Sequence, residues 1–119
     1  MIFNDILKLL KSATNLPIRF ISNDKIEKCI IYNIATISDD GIKRQDRLEV
    51  QIVGFDIAEI ESEDLKIRKA LLSFGDRTDD FLSIELNGGG TIGGSLKKDS
   101  NIKSLRKFSF YVITTKSEV

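Results

Sequence analysis

The run Gly88-Gly89-Gly90-Thr91-Ile92-Gly93 satisfies G-x-G-x-x-G, a spacing that can bring backbone amides against a pyrophosphate. That chemistry also needs a helix directly afterwards, whose N-terminal amides and dipole hold the negative charge. The following residues, Ser95-Leu96-Lys97-Lys98-Asp99-Ser100-Asn101, carry no amphipathic pattern, and no Lys-Ser or Lys-Thr pair closes a P-loop. The glycines are therefore read as a flexible loop. Asp76, Asp79 and Asp80 could offer carboxylates to calcium, but the twelve-residue pattern ending in Glu is absent, which leaves a solvated loop. Asp39 and Asp40 are neighbours in one turn, whereas glycoside hydrolysis needs two carboxylates flanking a substrate. They read as surface charge or as one side of an interface contact.

Lys97, Lys98, Lys103, Arg106 and Lys107 form the most basic stretch, beside Phe108 and Phe110. Single-strand binders combine a basic groove with exposed aromatic platforms. Here Phe108, Phe110 and Val112 share the parity expected to face the core, which favours packing instead. Cys29 is the only cysteine and histidine is absent. An intrachain disulfide is impossible, a structural zinc site lacks its usual ligands, and no Ser-His-Asp or Cys-His arrangement can form. Cys29 reads as a small buried hydrophobe. No catalytic residue, metal or cofactor is expected, and an enzyme is the least favoured class.

Composition narrows the classes further. At 119 residues the chain is expected to be one domain, 1–119, able to bury its own core. Lys plus Arg and Asp plus Glu number 18 each, so nothing draws the molecule over long range to nucleic acid or an anionic membrane. No membrane span or signal peptide is read in it, so a cytoplasmic place of synthesis is expected.

The elements that would position these residues centre on 47–75. Arg47-Leu48-Glu49-Val50-Gln51-Ile52 alternates strictly, as a half-buried strand requires. Asp56 and Glu59 have capping-box spacing; Ile60, Ile67, Ala70, Leu71 and Phe74 then recur at helical spacing up to a C-terminal Gly75. Earlier, 2–11 reads as an amphipathic helix with Ile2, Phe3, Ile6, Leu9 and Leu10 on one face. Residues 17–22 read as a short edge strand, Asn23-Asp24 as a turn, and 28–38 as a strand apolar on both parities and hence covered twice. Asp39-Asp40-Gly41 closes a hairpin into 42–52. Residues 81–87 and 103–115 are the last strands, the first with Leu82, Ile84 and Leu86 inward.

The expected fold class is α+β: two helices packed on one face of a mostly antiparallel sheet of about five strands, in the order α-β-β-β-α-β-β. Two helices cover one face only. Val53, Phe55, Tyr111 and Ile113 are expected on the other, and an apolar patch left there marks an interaction surface.

Leu86-Asn87-Gly88-Gly89-Gly90, a polar gap with Asp99, and Arg106-Lys107-Phe108-Ser109-Phe110-Tyr111-Val112 together resemble the C-terminal half of bacteriophage tail-terminator proteins, often labelled minor capsid proteins. Cys29-Ile30-Ile31-Tyr32, the strand 47–52 and the helix to Phe74 are similar too, so the resemblance runs from Ile2 to Thr115. It implies a homo-oligomeric ring, generally a hexamer, at the head-proximal end of a long tail in the virion. Such a ring halts the tail tube protein and docks a head-completion or connector protein. DNA passes through the lumen without sequence-specific binding, and no membrane or cofactor is involved. The hairpin residues Asp39, Asp40, Lys43 and Arg44 and the loop residues Asn87, Gly88, Gly89 and Gly90 are proposed as interface segments alongside the uncovered face. The alternatives are a ferredoxin-like binding or regulatory domain that dimerises through its sheet, or a neighbouring head-tail joining protein.

Overall fold

The computed structural model describes residues 2–20, 28–74, 81–96 and 103–117. The turn at Asn23-Asp24, the cap at Gly75, the aspartates 76, 79 and 80, and the segment 97–101 lie outside the described residues. In chain order the elements are α1 (Ile2–Ala13), β1 (Ile18–Phe20), β2 (Cys29–Asp39), β3 (Lys43–Gly54), α2 (Ile57–Phe74), β4 (Phe81–Leu96) and β5 (Lys103–Lys116). They form one five-stranded sheet in the spatial order β1-β2-β3-β5-β4. β1 runs parallel to β2 and the remaining pairings are antiparallel, so the class is α+β as expected. The last strand does not lie at the edge: β5 inserts between β3 and β4.

Both helices cover the same face. Ile6 and Leu10 of α1 join Ile60, Ile67 and Leu71 of α2 in one cluster with Ile30, Tyr32, Leu48, Val50, Ile52, Ile84, Tyr111 and Ile113. The α2 residues follow i, i+7, i+11, the stripe that a 3.6-residue period places on one side. Asp56 caps this helix by accepting the Ala58 amide at 3.1 Å. Glu59 is not its reciprocal partner, because Lys28 Nζ takes that carboxylate at 2.9 Å. α1 is tied to α2 by Thr14, whose hydroxyl donates to Glu63 Oε2 at 2.6 Å.

Pairing of β3 with β5 decides which side of each strand is covered, since directly opposed residues share a face. Leu48 opposes Tyr111, Val50 opposes Ser109 and Asp46 opposes Ile113, all on the helix side. Arg47 opposes Val112, Glu49 opposes Phe110 and Gln51 opposes Phe108, all on the uncovered side. This reverses the expected parity of β5. Tyr111 and Ile113 are fully buried in the core, whereas Phe108, Phe110 and Val112 lie on the uncovered face and are partly exposed. Both parities of β5 are apolar, so alternation within that strand could not decide between them. The twofold coverage expected of β2 holds only over its first four residues; from Ala35 onward it is exposed. Ile84 faces inward as expected, but Leu86, on the same parity, is 40% exposed.

The glycine run is a second correction. It is not a loop but the middle of β4, a 16-residue edge strand. The register shifts between Leu86 and Gly89, where Gly88 adopts φ 96 as a β-bulge demands. At Gly89 a Cβ would sit 2.5 Å from the Phe108 carbonyl oxygen, so only glycine lets the two backbones approach. At Gly90 the nearest atom would be the Phe108 ring at 3.4 Å, an ordinary contact.

The molecule measures 52 × 22 × 22 Å, and its 15.2 Å radius of gyration exceeds the ~13.5 Å of a compact chain this size. The end of the β2–β3 hairpin, the β2–β3 arm, is exposed, with Ile37 at 53% and Ile42 at 81%. Among the described residues no helix is long and apolar enough to cross a membrane.

Two thermal-melt comparisons test this packing. Ile67→Ala should cost about 2–5 kcal/mol, as a cavity in a closed core does. Phe108→Ala, at a position expected from the sequence to face the core, should cost only about 1–2 kcal/mol, because its ring is partly solvated and loses mainly one aromatic pair. Equal losses would mean that β5 faces the other way. Along β4, Gly89→Ala should destabilise most, Gly88→Ala by about 1–2 kcal/mol for its left-handed backbone, and Gly90→Ala least.

Candidate functional site

Polar groups gather in three places. The first lies where α2 meets β5. Asp64, on the α2 face turned to the sheet, is only 4% exposed. Its Oδ2 meets Arg68 Nη2 at 2.9 Å and Lys107 Nζ at 3.3 Å, and its Oδ1 accepts from Ser109 Oγ at 3.3 Å. Lys107 Nζ also reaches Glu61 Oε2 at 2.7 Å, and that bond, with Asp64 nearby, raises the lysine above its ordinary pKa despite partial desolvation. Two carboxylates thus neutralise two cations. Alongside, Arg68, Lys107, Ser109, Leu86 and the three glycines 88–90 line an open cleft of about 380 Å³. Its two cations each face a carboxylate, Arg68 through Nη2 with its Nε left without a partner, and no described helix starts at the glycines, so the arrangement does not form a phosphate cradle. Asp64 was not singled out from the sequence; its i, i+4 position relative to Ile60 and Arg68 is the signal that puts it on the buried stripe.

Tyr111 lies beneath this cluster, fully buried, and its hydroxyl has no partner of hydrogen-bond geometry. Burial pushes its ionisation upward, the nearby Asp64 carboxylate adds to the effect, and the Arg68 guanidinium, close by but outside hydrogen-bond geometry, opposes it.

The second place is the root of the β2–β3 arm. Asp46 is fully buried and accepts at Oδ1 from Thr36 Oγ1 at 3.0 Å and from Arg44 Nη2 at 3.1 Å. Arg44 Nη2 also donates to Thr36 Oγ1 at 2.8 Å, so this expected interface cation is engaged inside the subunit. At the tip, Asp39 accepts the Gly41 amide, and Asp40 accepts the Ile42 and Lys43 amides at 2.9 and 2.8 Å. Hydrogen bonds hold both carboxyls below the usual range, Asp39 chiefly through Ser117 and Asp40 through the Lys43 and Ile42 amides. The acidic pair builds the turn, as short Asx motifs do. Lys43 is exposed beside them.

The third place is the uncovered sheet face. Val53 is there as expected, but it is 3% exposed and clusters with Cys29 and Ile31. Phe55, just past β3, is 39% exposed. Tyr111 and Ile113, expected on this face, are in the core and out of reach of a partner. Their place is taken by Phe108 and Phe110, whose rings meet edge-on at 5.7 Å, and by Arg47, whose guanidinium lies 5.4 Å from the Phe110 ring centre. Arg106 is exposed and donates to Gln51 Oε1 at 3.3 Å; Gln51 in turn donates to Glu49 at 2.9 Å. Asn87, Gly88 and Gly89 are exposed on the edge strand and Gly90 is half-buried.

Tyr111 and Lys107 generate a pH prediction. Both are raised in the folded protein, so their contribution is complete below their ordinary values near 10 and is lost as pH rises through the folded values. The melting temperature should therefore fall above about pH 10, and Tyr111→Phe should flatten that fall. At pH 7 the same variant should melt no lower than the parent, because a hydroxyl without a partner is removed. A lower melt would reveal a bond to that oxygen.

No protein-family model matches the chain, and no curated protein matches it in sequence.

Proposed function

We propose that this chain is a structural subunit that assembles with copies of itself into a closed ring, in the manner of the tail terminators it resembles. In that role it caps a phage tail tube and presents a docking surface to the head. The observation that carries the reading is the β2–β3 arm, the hairpin end that β5 flanks as far as Lys116, where Ile37 and Ile42 are 53% and 81% exposed. An isolated subunit gains nothing from apolar side chains there, while an intersubunit contact does.

Ring closure needs two different patches that complement each other. The arm is one. The other is a sheet edge unpaired among the described residues: β1 shields only three residues of β2, and β4 is the outer strand on the other side. A subunit built this way can place its arm against a neighbour's edge head to tail, without using its own arm twice. Lys43 fits such a contact, being exposed, whereas Arg44 serves its own Asp46 and Thr36. The polar clusters support a structural role as well, since their charged groups are paired within the subunit and frame no substrate.

Native mass spectrometry and light scattering test the assembly. The expected species is a hexamer that Ile42→Asp and Lys43→Glu shift toward the monomer without changing the melt, both side chains being exposed. A stable dimer indifferent to either substitution would overturn the ring and favour the regulatory domain that pairs through its sheet.

A further inference from the structure

We propose that the uncovered sheet face binds single-stranded nucleic acid, with Phe108 and Phe110 stacking on adjacent bases and Arg47 and Arg106 meeting the backbone phosphates.

The inference starts from the parity of β5. Residues i and i+2 on a strand share a face about 6.8 Å apart, so Phe108 and Phe110 form one aromatic platform. That platform lies on an interior strand, on the side opposite both helices. Cations bracket it. Arg106 precedes Phe108 on the same strand, and Arg47 stacks against Phe110 from β3. On the outer flank Phe108 faces Gly90, which has no side chain to cover the ring. Gln51, opposite Phe108, is held between Arg106 and Glu49 and sets the position of the Arg106 guanidinium. The local order Arg106-Lys107-Phe108-Ser109-Phe110 also follows the cation-x-aromatic-x-aromatic spacing with which sheet-type RNA-binding domains display stacking rings.

Two features favour this occupant over another protein surface. Of the aliphatic side chains on the face, Ile31 and Val53 are already buried within the subunit, each 3% exposed, while Val112 stays partly exposed. The half-buried rings and the guanidinium groups of Arg47 and Arg106 match bases and phosphates; Glu49, opposite Phe110, and Glu85, opposite Val112, are the carboxylates of the same face and leave it without excess positive charge. The basic run read from the sequence is not the site: Lys107 turns to the helix side and is held by Glu61 and Asp64. With zero formal net charge, long-range attraction is missing, so stacking must supply most of the affinity.

Fluorescence anisotropy of the full chain with a labelled oligothymidylate of roughly twelve nucleotides tests this. Two phosphate contacts should give a log–log salt slope of about −1.4, shallow compared with a basic groove. Arg47→Gln should reduce that slope by about 0.7. Phe108→Leu and Phe110→Leu keep apolar volume but lose the stacking surface, and each should weaken binding roughly tenfold, with Phe110→Tyr restoring it. A duplex of equal length should bind at least about tenfold more weakly, because its bases are already stacked. Absence of saturable binding at about 100 μM protein in low salt, equal affinity for duplex, or indifference to both leucine variants overturns the proposal. So does an assembly mass that falls in the leucine variants without oligonucleotide, which would assign the face to a second copy.

Discussion

The antiparallel register between β3 and β5 is the constraint on which everything else depends. A shift of one residue would move every side chain of β5 to the other face. Tyr111 and Ile113 would then leave the core, and the phenylalanines would enter it. Apolar burial alone does not choose between these registers, because both parities of β5 are apolar. The polar residues of the strand make the choice. Lys107 and Ser109 share the Tyr111 parity, and both find Asp64 on α2. In the slipped register Asp64 would keep only Arg68 of its own helix and would lose Lys107 and Ser109, and a buried carboxylate stripped of most of its partners is costly. The Asp64 cluster therefore acts first as a registry device that couples helix to strand.

That device also explains what could be read from the sequence. β3 was legible because its alternation is strict, with Arg47, Glu49 and Gln51 polar against Leu48, Val50 and Ile52. The buried stripe of α2 was legible for the same reason at helical period, except for Asp64, which looks like surface charge until Lys107 and Ser109 are placed beneath it. The class and the element order followed from those segments. The parity of β5 did not, because no local pattern in the strand marks the wet side. Only its pairing with the polar side of β3 does so, and that is a contact distant in sequence. The glycine run failed for another reason: glycine has low intrinsic strand preference, but β5 supplies a pairing partner whose backbone comes too close for any side chain at Gly89.

For the candidate site the misplaced parity mattered more than for the fold. The uncovered face was expected to be an apolar patch made by Val53, Phe55, Tyr111 and Ile113. Its described middle instead carries Phe108, Phe110 and Val112 among Arg47, Arg106, Glu49 and Glu85, while Val53 is buried. The hairpin aspartates changed meaning as well. Asp39 and Asp40 bind amides of their own turn, leaving Ile37, Ile42 and Lys43 as the groups the arm presents.

These two surfaces need not compete. The arm and the bare strand edges lie in the plane of the sheet, whereas Phe108 and Phe110 project from its uncovered side. A ring joined through arms and edges would leave that side of each subunit free. If the subunits tilt so that these faces turn inward, the ring interior would carry repeated pairs of rings flanked by guanidinium groups. Paired charges elsewhere and a net charge of zero would keep such a lumen from gripping duplex DNA along its length. Exposed bases, by contrast, could be held by stacking, a short-range attraction that a duplex in transit does not offer. Neutral overall charge and a local aromatic strip are thus compatible: in the proposed ring the first would govern what passes and the second what is retained.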